Sequence, residues 1–304
     1  MTYFILFFFG LAVGSFLNVV SLRYLPGQNP EGKPLASYGA GLLDLKIIGG
    51  RSRCPHCRET LKWYELIPLL SFIIQKGRCR NCGKRLSLQY PLVEFLSGLI
   101  FVFVPFVSVN SLQFIIYSQF LQFLVIGSWL LIFILFLLLS IIDFHHYIIP
   151  DLINLVLGSL GIILIALNQK IGNFGFITGS FMGHYAAIFG FRESIWLNHF
   201  FAAFLGMAFF GLVIILTRGR AMGWGDFKLV GALGLIFGWP DIIMIIALSF
   251  IIGSIFVAPL LIKGRKNMKD AVPFGPFMIM ASVLVFFIGF QMIDSYFKLF
   301  GIIR

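Results

Sequence analysis

The sequence predicts an all-α polytopic membrane protein with about eight transmembrane helices and one small cytoplasmic module. Three observations carry this prediction. Hydrophobic residues make up 59% of the 304 residues and charged residues only 12%, whereas a soluble domain usually has roughly 25% charged residues. Apolar runs long enough to cross a bilayer recur along the chain. Only residues 23–90 form a long polar and basic segment.

The first apolar run, Tyr3–Val20, is expected to be a retained transmembrane helix. No Lys or Arg precedes it, and its first cation, Arg23, follows it, which reverses the order found in a cleavable signal peptide. Gly10 and Gly14 are four residues apart and offer a face for close helix packing. We therefore expect residues 1–22 to form the first span, with the N-terminus outside.

Seven further apolar runs follow the polar segment. They lie at about 91–109, 118–142, 152–167, 197–217, 227–238, 241–262 and 274–297. A spanning helix needs about 20 residues, so the run 227–238 is short. We expect neighbouring helices to shield it, or the bilayer to thin around it. Residues 91–304 are therefore expected to form one domain of about seven helices.

The net charge of +11 could indicate a nucleic-acid-binding protein, but the positions of the cations indicate membrane topology. With the N-terminus outside, the interior loops are 23–90, 143–151, 218–226 and 263–273, and they hold 18 of the 23 Lys and Arg residues. This distribution follows the positive-inside rule. We therefore expect the lipid bilayer as a partner and no nucleic acid. The exterior connection 168–196 receives no chemical role.

All four cysteines lie in the polar segment, as Cys54-Pro-His-Cys57 and Cys79-Arg-Asn-Cys82. Two such turns each present two sulfurs to one ion, so together they can close a tetrahedral four-sulfur zinc site. The metal would supply folding free energy that so small a core cannot. The segment 23–90 is therefore expected to contain a zinc-ribbon-like module with a structural Zn²⁺.

Other interpretations of the cysteines stay open at this point. The four thiols could be unrelated residues of a reducing compartment, or one pair could be a redox dithiol. His56 lies inside the first pair and could compete as a ligand, although an exposed histidine in the turn is the simpler interpretation. A closed four-sulfur site has no open coordination position, so no catalysis is expected from the metal.

Two of the twelve acidic residues stand where interior loops meet apolar runs. Asp143 ends the third run and Asp226 opens the sixth, within Gly223-Trp-Gly-Asp226. Ionisable groups at such positions indicate function. Two carboxylates from different helices can share a proton and hold one water, as in aspartic proteases. Gly223 and Gly225 carry no side chain and permit unusual backbone angles, so a substrate backbone can approach Asp226.

Helix dipoles suggest how the two acids divide their roles. Asp143 lies at a helix C-terminus, where negative charge is disfavoured, and Asp226 lies at a helix N-terminus, where it is favoured. We therefore expect Asp226 to be the ionised base and Asp143 the protonated partner.

Structural roles are the alternatives. Asp226 could be a helix cap and Asp143 an interfacial residue, while a cap fully explains Asp151. Lys228 is expected to reach towards lipid headgroups. At the level of function, the chain could be a transporter with an aspartate proton relay, or a non-catalytic membrane scaffold. A relay favours acids near mid-membrane, whereas these lie at helix ends, and it gives the cysteines no role.

The motifs closely resemble those of the type IV prepilin leader peptidase/N-methyltransferase family of GxGD intramembrane aspartyl proteases. The resemblance runs through nearly the whole chain. It includes Gly14-Ser-Phe-Leu-Asn-Val-Val20, Cys54-Pro-His-Cys57, Trp63-Tyr-Glu65, Ile67-Pro-Leu-Leu-Ser71, Cys79-Arg-Asn-Cys82, Tyr90-Pro-Leu-Val-Glu94, Ile142-Asp143, Ile149-Pro150, Ala221-Met-Gly-Trp-Gly-Asp-Phe-Lys-Leu229 and Pro273-Phe-Gly-Pro-Phe277.

The resemblance implies an endopeptidase of the bacterial inner membrane that removes the basic leader from type IV prepilins or pseudopilins at the cytoplasmic face. It implies Asp143 and Asp226 as the catalytic pair and zinc on the four cysteines. It also implies N-methylation of the new N-terminus with S-adenosylmethionine as the methyl donor. Leu66 replaces a usual asparagine and Gln89 a usual arginine, and both departures lie in or beside the cysteine segment.

Overall fold

The structure is a computed structural model that describes residues 1–24, 50–112, 118–171, 194–220, 222–264 and 272–299. The chain forms two compact units, Met1–Phe106 and Val107–Arg304. The described residues are predominantly helical, and their only β structure outside helices is two isolated bridges. The all-α prediction is therefore confirmed.

Nine α-helices and one short 3-10 helix occur within the described ranges. The α-helices are α1 (Thr2–Arg23), α2 (Leu70–Ile74), α3 (Gln89–Leu112), α4 (Gln119–His146), α5 (Asp151–Ile171), α6 (Ile195–Thr217), α7 (Trp224–Phe237), α8 (Asp241–Ile262) and α9 (Gly275–Leu299), and the 3-10 helix is Trp63–Leu66.

Seven of the described helices, α1, α3, α4, α5, α6, α8 and α9, are long and apolar enough to cross a membrane. The eighth predicted run forms α7, which has 14 residues and is therefore about 21 Å long. This is shorter than a hydrocarbon core of about 30 Å. Helix α7 packs chiefly against α5 and α6, and most of its residues after Lys228 are buried. The neighbouring helices therefore shield the short segment.

Helices α1 and α3 pack closely within the first unit. A Cβ atom built on Gly10 would lie 2.7 Å from the carbonyl oxygen of Ser97, and one built on Gly14 would lie 2.7 Å from the Cα of Glu94. The side-chain amide of Asn18 also donates a hydrogen bond of 3.2 Å to the carbonyl of Tyr90. Helix α3 of the same chain therefore occupies the close-packing face expected at Gly10 and Gly14.

An aromatic cluster fixes α4 against α9 in the second unit. The ring of Phe286 lies 4.7 Å from that of Trp129 and 4.9 Å from that of Phe133, centroid to centroid, and all three side chains are buried. The two helices run antiparallel, because Asp143 near the end of α4 contacts Gly275 at the start of α9. This arrangement brings the C-terminus of one helix to the N-terminus of the other.

Several expectations fall wholly or partly outside the described residues. Most of the exterior connection 168–196 lies there, as do residues 25–49 of the polar segment and 265–271 of the last interior loop.

Candidate active site

Asp143 lies one turn before the end of α4 and is only 4% exposed. Its Oδ2 atom accepts a hydrogen bond of 3.1 Å from the backbone N–H of Gly275, the first residue of α9. The helix stops just after it at Tyr147, which has a left-handed backbone (φ 55°) and donates its N–H to the carbonyl of Asp143. The carboxyl group is therefore held at a helix end by a neighbouring helix.

Asp226 is the third residue of α7. Its Oδ2 atom accepts a hydrogen bond of 3.3 Å from the backbone N–H of Gly223, the residue that caps the helix. This is the reciprocal contact of a capping box, which satisfies one of the free N–H groups at a helix start. The N-cap is therefore Gly223 and not Asp226, whose carboxylate supports the cap from the third position of the helix. The same contact fixes the carboxyl group in place.

The structure brings the two carboxyl groups together. Ile149 lies against both of them: a Cβ atom built on Gly225, next to Asp226, would lie 3.0 Å from its Cβ, and one built on Gly275, which holds Asp143, would lie 3.2 Å from its Cδ1. The two acids therefore lie at adjoining helix ends and interact electrostatically, although they are 83 positions apart in the sequence. The start of α5 contributes to this meeting, since the side-chain amide of Asn154 donates to the carbonyl of Gly225 at 3.5 Å. Four helix ends, those of α4, α5, α7 and α9, therefore form the candidate site.

The two glycines before Asp226 matter because they have no side chain, and not because of unusual backbone angles. Gly223 has φ −88°, and φ of Gly225 is not positive either, so the expectation of unusual angles is wrong. A Cβ atom on Gly225 would lie 3.0 Å from the Cβ of Ile149, tighter than most real contacts. Gly223 is exposed and leaves the approach to Asp226 open.

A salt bridge lies beside the site. The Nζ atom of Lys228 lies 2.8 Å from Oδ1 of Asp151, and both side chains are partly exposed. The sequence analysis assigned Lys228 to lipid headgroups and Asp151 to a helix cap, so it missed this pair. Because the pair is solvated, its contribution to stability is expected to be below about 1 kcal/mol.

The four cysteines of the first unit form a cluster. The Sγ atoms of Cys54, Cys57, Cys79 and Cys82 all lie within 4.8 Å of one another. Around a zinc ion with Zn–S bonds of about 2.3 Å, tetrahedral sulfurs are about 3.8 Å apart. The cluster therefore has the composition and approximate size of a four-sulfur metal site.

The two cysteine turns repeat one backbone pattern. The N–H of Cys54 donates to the carbonyl of Glu59, and the N–H of Cys79 donates to the carbonyl of Lys84, both at 2.9 Å. Each turn then needs a residue with positive φ, which is Arg58 (58°) in the first and Gly83 (68°) in the second. The sequence analysis missed the strained arginine, because only glycine signals such a position in a sequence.

The two thiols of the second turn differ in their pKa. The N–H group of Cys82, followed by that of Asn81, lowers the pKa of the Cys79 thiol to about 7. The N–H of Lys84 lowers the pKa of the Cys82 thiol, but burial and the three neighbouring thiols outweigh it and raise that pKa to about 11. A metal binds the deprotonated sulfur, so a cation that binds all four sulfurs must displace the proton of Cys82. The side-chain amide of Asn81 also approaches the Sγ atom of Cys57, at 3.8 Å.

Comparison with known proteins identifies the family. The model of the bacterial peptidase A24 N-terminal domain matches residues 8–107, and that of the type IV leader peptidase family matches residues 129–258. The prepilin leader peptidase/N-methyltransferase of Legionella pneumophila is 31% identical over 97% of this chain and 94% of its own length. The chain belongs to the type IV leader peptidase family.

Other relatives support the assignment along the whole length. The protein of the same description from Bacillus subtilis is 29% identical over 97% of this chain and 98% of its own length. That from Dichelobacter nodosus is 31% identical over 93% and 90%. No solved structure matches the chain. The resemblance found in the motifs is therefore confirmed, and the chain is a multi-pass membrane enzyme of this peptidase family.

The family match covers both acids but not all the residues that position them. Residues 129–258 include Asp143 and Asp226, whereas Gly275 lies beyond this range. Sequence reasoning noted the motif Pro273-Phe-Gly-Pro-Phe277 without giving it a role. The signal in the sequence was the Gly-Pro pair of this motif, which stands at the start of an apolar run. Proline is common at the first position of a helix, so the pair indicates a helix start, where backbone N–H groups are free.

The two departures from the family pattern occupy different environments. Leu66 is exposed and lines a cavity of the first unit. Gln89 opens α3, and its Nε2 atom is buried without a hydrogen-bond partner among the described residues. Both therefore lie in the unit that carries the cysteines, and neither belongs to the unit that carries the acids.

Proposed function

We propose that this enzyme is an aspartyl endopeptidase that removes the basic leader from type IV prepilins or pseudopilins, with Asp143 and Asp226 as its catalytic pair. The observation that carries the proposal is that Ile149 packs against both Gly225, the neighbour of Asp226, and Gly275, which holds Asp143, so that the two acids lie at adjoining helix ends. Each is oriented by the N–H of a glycine that caps or starts a helix.

In the proposed mechanism, the pair holds one water molecule and divides general acid and general base catalysis. The ionised carboxylate takes a proton from the water as the water attacks the scissile carbonyl carbon. The protonated carboxyl donates its proton to the carbonyl oxygen, on which negative charge develops, and a tetrahedral intermediate with two hydroxyl groups results. The C–N bond then breaks as the carboxyl group that took the proton from water passes it to the leaving amine, and the other carboxylate regains a proton from one hydroxyl of the intermediate. The products are a carboxylic acid and a free amine, and both side chains return to their starting states. We propose Asp226 as the resting base and Asp143 as the resting acid.

The position of the pair suits a substrate that lies partly in the membrane. Asp226 begins a short helix and Asp143 stands near the end of a long one, so the scissile bond would lie near the edge of the hydrocarbon core. The apolar segment of a prepilin would occupy the bilayer and its basic leader the cytoplasm. In keeping with the positive-inside rule, we place the site and the cysteine module on the cytoplasmic side of the inner membrane, with the N-terminus outside.

We further propose that Cys54, Cys57, Cys79 and Cys82 hold a structural Zn²⁺ and that the enzyme N-methylates the new N-terminus with S-adenosylmethionine. The cluster of sulfurs supports the metal. The relatives from Bacillus subtilis and Legionella pneumophila are prepilin leader peptidase/N-methyltransferases, which supports the second activity. Bound zinc would supply a rigid, closed support for the two turns and no reaction step.

Cleavage of a purified prepilin in detergent tests the catalytic pair. Wild-type enzyme is compared with Asp143→Asn and Asp226→Asn, which keep the shape of each side chain and remove its charge. Loss of one member of a general acid–base pair is expected to lower kcat by about 10²–10⁴-fold. Asp151→Asn is the matched control, since Asp151 is a neighbouring acid paired with Lys228 outside the proposed pair.

The outcomes separate the proposal from its alternatives. Cleavage near the wild-type rate by both Asp143→Asn and Asp226→Asn would overturn the assignment of the pair. Loss of cleavage in these two variants, with activity kept in Asp151→Asn, would be inconsistent with a scaffold role.

A further inference from the structure

An apolar surface lies on the outside of the cysteine module, on the segment between the two pairs of cysteines. Six large apolar side chains of this segment are between 36% and 78% exposed, and we call them the module face: Trp63, Leu66, Ile67, Leu70, Ile73 and Ile74. Three of them, Ile67, Leu70 and Ile74, line one open groove, so they form a continuous surface. Exposed apolar surfaces of this kind mark protein or membrane interaction sites.

The outward side chains of α2 are not needed for the packing of the module itself. Leu70, Ile73 and Ile74 follow the spacing i, i+3, i+4, which places them on one side of a helix. The other side of the segment turns inward, where Phe72 and Gln75 line the internal cavity beside Glu94. The outward side is therefore available to a partner.

The module face lies at the level of the spanning helices. The N–H of Leu69, the residue that precedes α2, donates to Oε2 of Glu94 at 2.8 Å. Glu94 is the sixth residue of α3, about 7.5 Å along the helix from its first residue. On α1 the same level is marked by Gly14, since a Cβ atom there would lie 2.7 Å from the Cα of Glu94. Helix α2 therefore begins beside the second turn of a spanning helix, where outward apolar side chains meet lipid.

Cations border the module face. Arg78 and Arg80 line the same groove as the apolar side chains, and Lys62 and Lys76 flank the segment and are exposed. Within the described ranges, neither arginine forms a salt bridge with an acidic side chain. Residues 50–90 contain nine Lys and Arg residues and only two acidic residues. An apolar face with a basic border matches a bilayer surface, where acyl chains lie below anionic headgroups.

An aromatic cluster joins one of these cations to the module face. The Nη1 atom of Arg80 donates to the hydroxyl of Tyr64, and its guanidinium lies 5.5 Å from the centroid of the same ring. The ring of Trp63 packs edge-on against Tyr64, with 5.8 Å between the centroids. A guanidinium has five N–H donors, so Arg80 keeps donors for a phosphate while Tyr64 holds it in place.

We propose that the module face docks onto the cytoplasmic leaflet of the membrane. Its apolar side chains lie among the acyl chains next to the headgroups, and Arg78 and Arg80 bind the phosphates of anionic lipids. The inference rests on the cytoplasmic location proposed above. Docking gives the cysteine module a support besides its two flanking helices. The basic leader of a prepilin does not suit this surface, because the same cations repel it.

Quenching of the fluorescence of Trp63 tests the docking in the full-length enzyme. The enzyme is reconstituted in phosphatidylcholine nanodiscs, and the emission of Trp63 is taken as the difference between wild type and Trp63→Phe. A docked face lies about 5–10 Å deep, at the boundary of headgroups and acyl chains. Bromine on the acyl carbons next to the headgroup is therefore expected to lower this emission about twofold or more. Acrylamide in the water is expected to leave it nearly unchanged.

The pattern of quenching separates the occupants of the face. Quenching by acrylamide and not by brominated lipid would overturn the proposal, because the face would then lie in water. Protection from both quenchers would also overturn it. The face would then be covered by protein, either another segment of this chain, a second copy or a bound substrate.

The choice of lipid tests the cations. Brominated phosphatidylglycerol, which is anionic, is compared with brominated phosphatidylcholine at the same low mole fraction. Each cation near the surface favours anionic lipid by about fivefold, so phosphatidylglycerol is expected to quench Trp63 more strongly in wild type. Arg78→Gln is expected to lower this preference by about fivefold. The matched control is Lys84→Gln, which removes an exposed cation of the same module outside the groove and is expected to keep the preference.

Two results would overturn the assignment of the phosphates. One is equal quenching by the two lipids in wild type, and the other is the same loss of preference in Lys84→Gln as in Arg78→Gln. Thermal unfolding midpoints show that the variants are folded, and the comparison of lipids in wild type needs no variant other than Trp63→Phe. A nanodisc exposes both faces of the bilayer, so the result does not depend on the side that the module occupies in the cell. Cleavage of a prepilin by the same preparations reports separately on the peptidase proposal.

Discussion

Gly275→Ala is expected to disable the enzyme through a single added methyl group. The N–H of Gly275 donates to Oδ2 of Asp143 at 3.1 Å, and a Cβ atom on this residue would lie 2.6 Å from the same oxygen and 3.2 Å from Cδ1 of Ile149. Carbon and oxygen atoms cannot approach so closely, so the carboxyl group must move. Moving it also lengthens the hydrogen bond that orients it.

The size of the effect follows from these two contacts. Overpacking of a tight site costs about 1–3 kcal/mol, and the lost hydrogen bond to the protonated, neutral carboxyl group costs about 0.5–1.5 kcal/mol. The two costs overlap, because the carboxyl group escapes the clash by giving up the bond. If about 1–3 kcal/mol appears in the activation barrier, kcat falls by about 5–150-fold.

The assay is single-turnover cleavage of a prepilin in detergent, with Gly127→Ala as the matched control. Gly127 lies on α4, as does Asp143, and a Cβ atom there would have no neighbour within 4 Å. We expect this control to cleave at the wild-type rate, with slightly higher thermal stability because alanine favours the helix. A folded Gly275→Ala enzyme with wild-type kcat would refute the assigned geometry of Asp143.

Three further predictions concern other parts of the chain. Gly14→Leu is expected to separate α1 from α3, because even a Cβ atom there would lie 2.7 Å from the Cα of Glu94; thermal unfolding should fall by several degrees, and an unchanged midpoint would contradict the packing. Wild type is expected to contain one zinc per chain by elemental analysis and Cys82→Ser less than half of this, whereas equal content would exclude Cys82 as a ligand. Lys228→Ala is expected to lower stability by less than about 1 kcal/mol, since its salt bridge is solvated, and a larger loss would mean that the pair is structural.

Composition and local pattern were sufficient to predict most of the fold. An apolar run of about 20 residues predicts a transmembrane helix without any knowledge of its neighbours, because the thickness of the bilayer sets the length of the helix. The exception was 227–238, whose residues form a helix too short to span by length alone. Its burial depends on α5 and α6, and such packing partners cannot be read from the segment itself.

The candidate site was predictable only in its parts. Acids at the ends of apolar runs are conspicuous, so Asp143 and Asp226 could be found from the sequence. The backbone N–H group that holds the Asp143 carboxyl could not be found in this way, because the contact between Asp143 and Gly275 joins residues 132 positions apart. The cavity beside Glu94 shows the same limit, since its wall combines two helices with the cysteine module. Pairs of cysteines, by contrast, predict a metal site from their spacing in the sequence.

The tertiary contacts also change the helix-dipole argument for the two acids. The sequence assigns Asp143 to the unfavourable C-terminus of its own helix, but in the structure the N-terminus of α9 faces the same carboxyl group. The N-terminus of α7 faces Asp226 in the same way. Each acid therefore receives one backbone N–H group from the positive end of a helix, and the asymmetry between them is smaller than the sequence suggests. One difference between the two acids remains: Asp143 also lies at the negative C-terminal end of its own helix, α4. The assignment of Asp226 as the base depends on this difference.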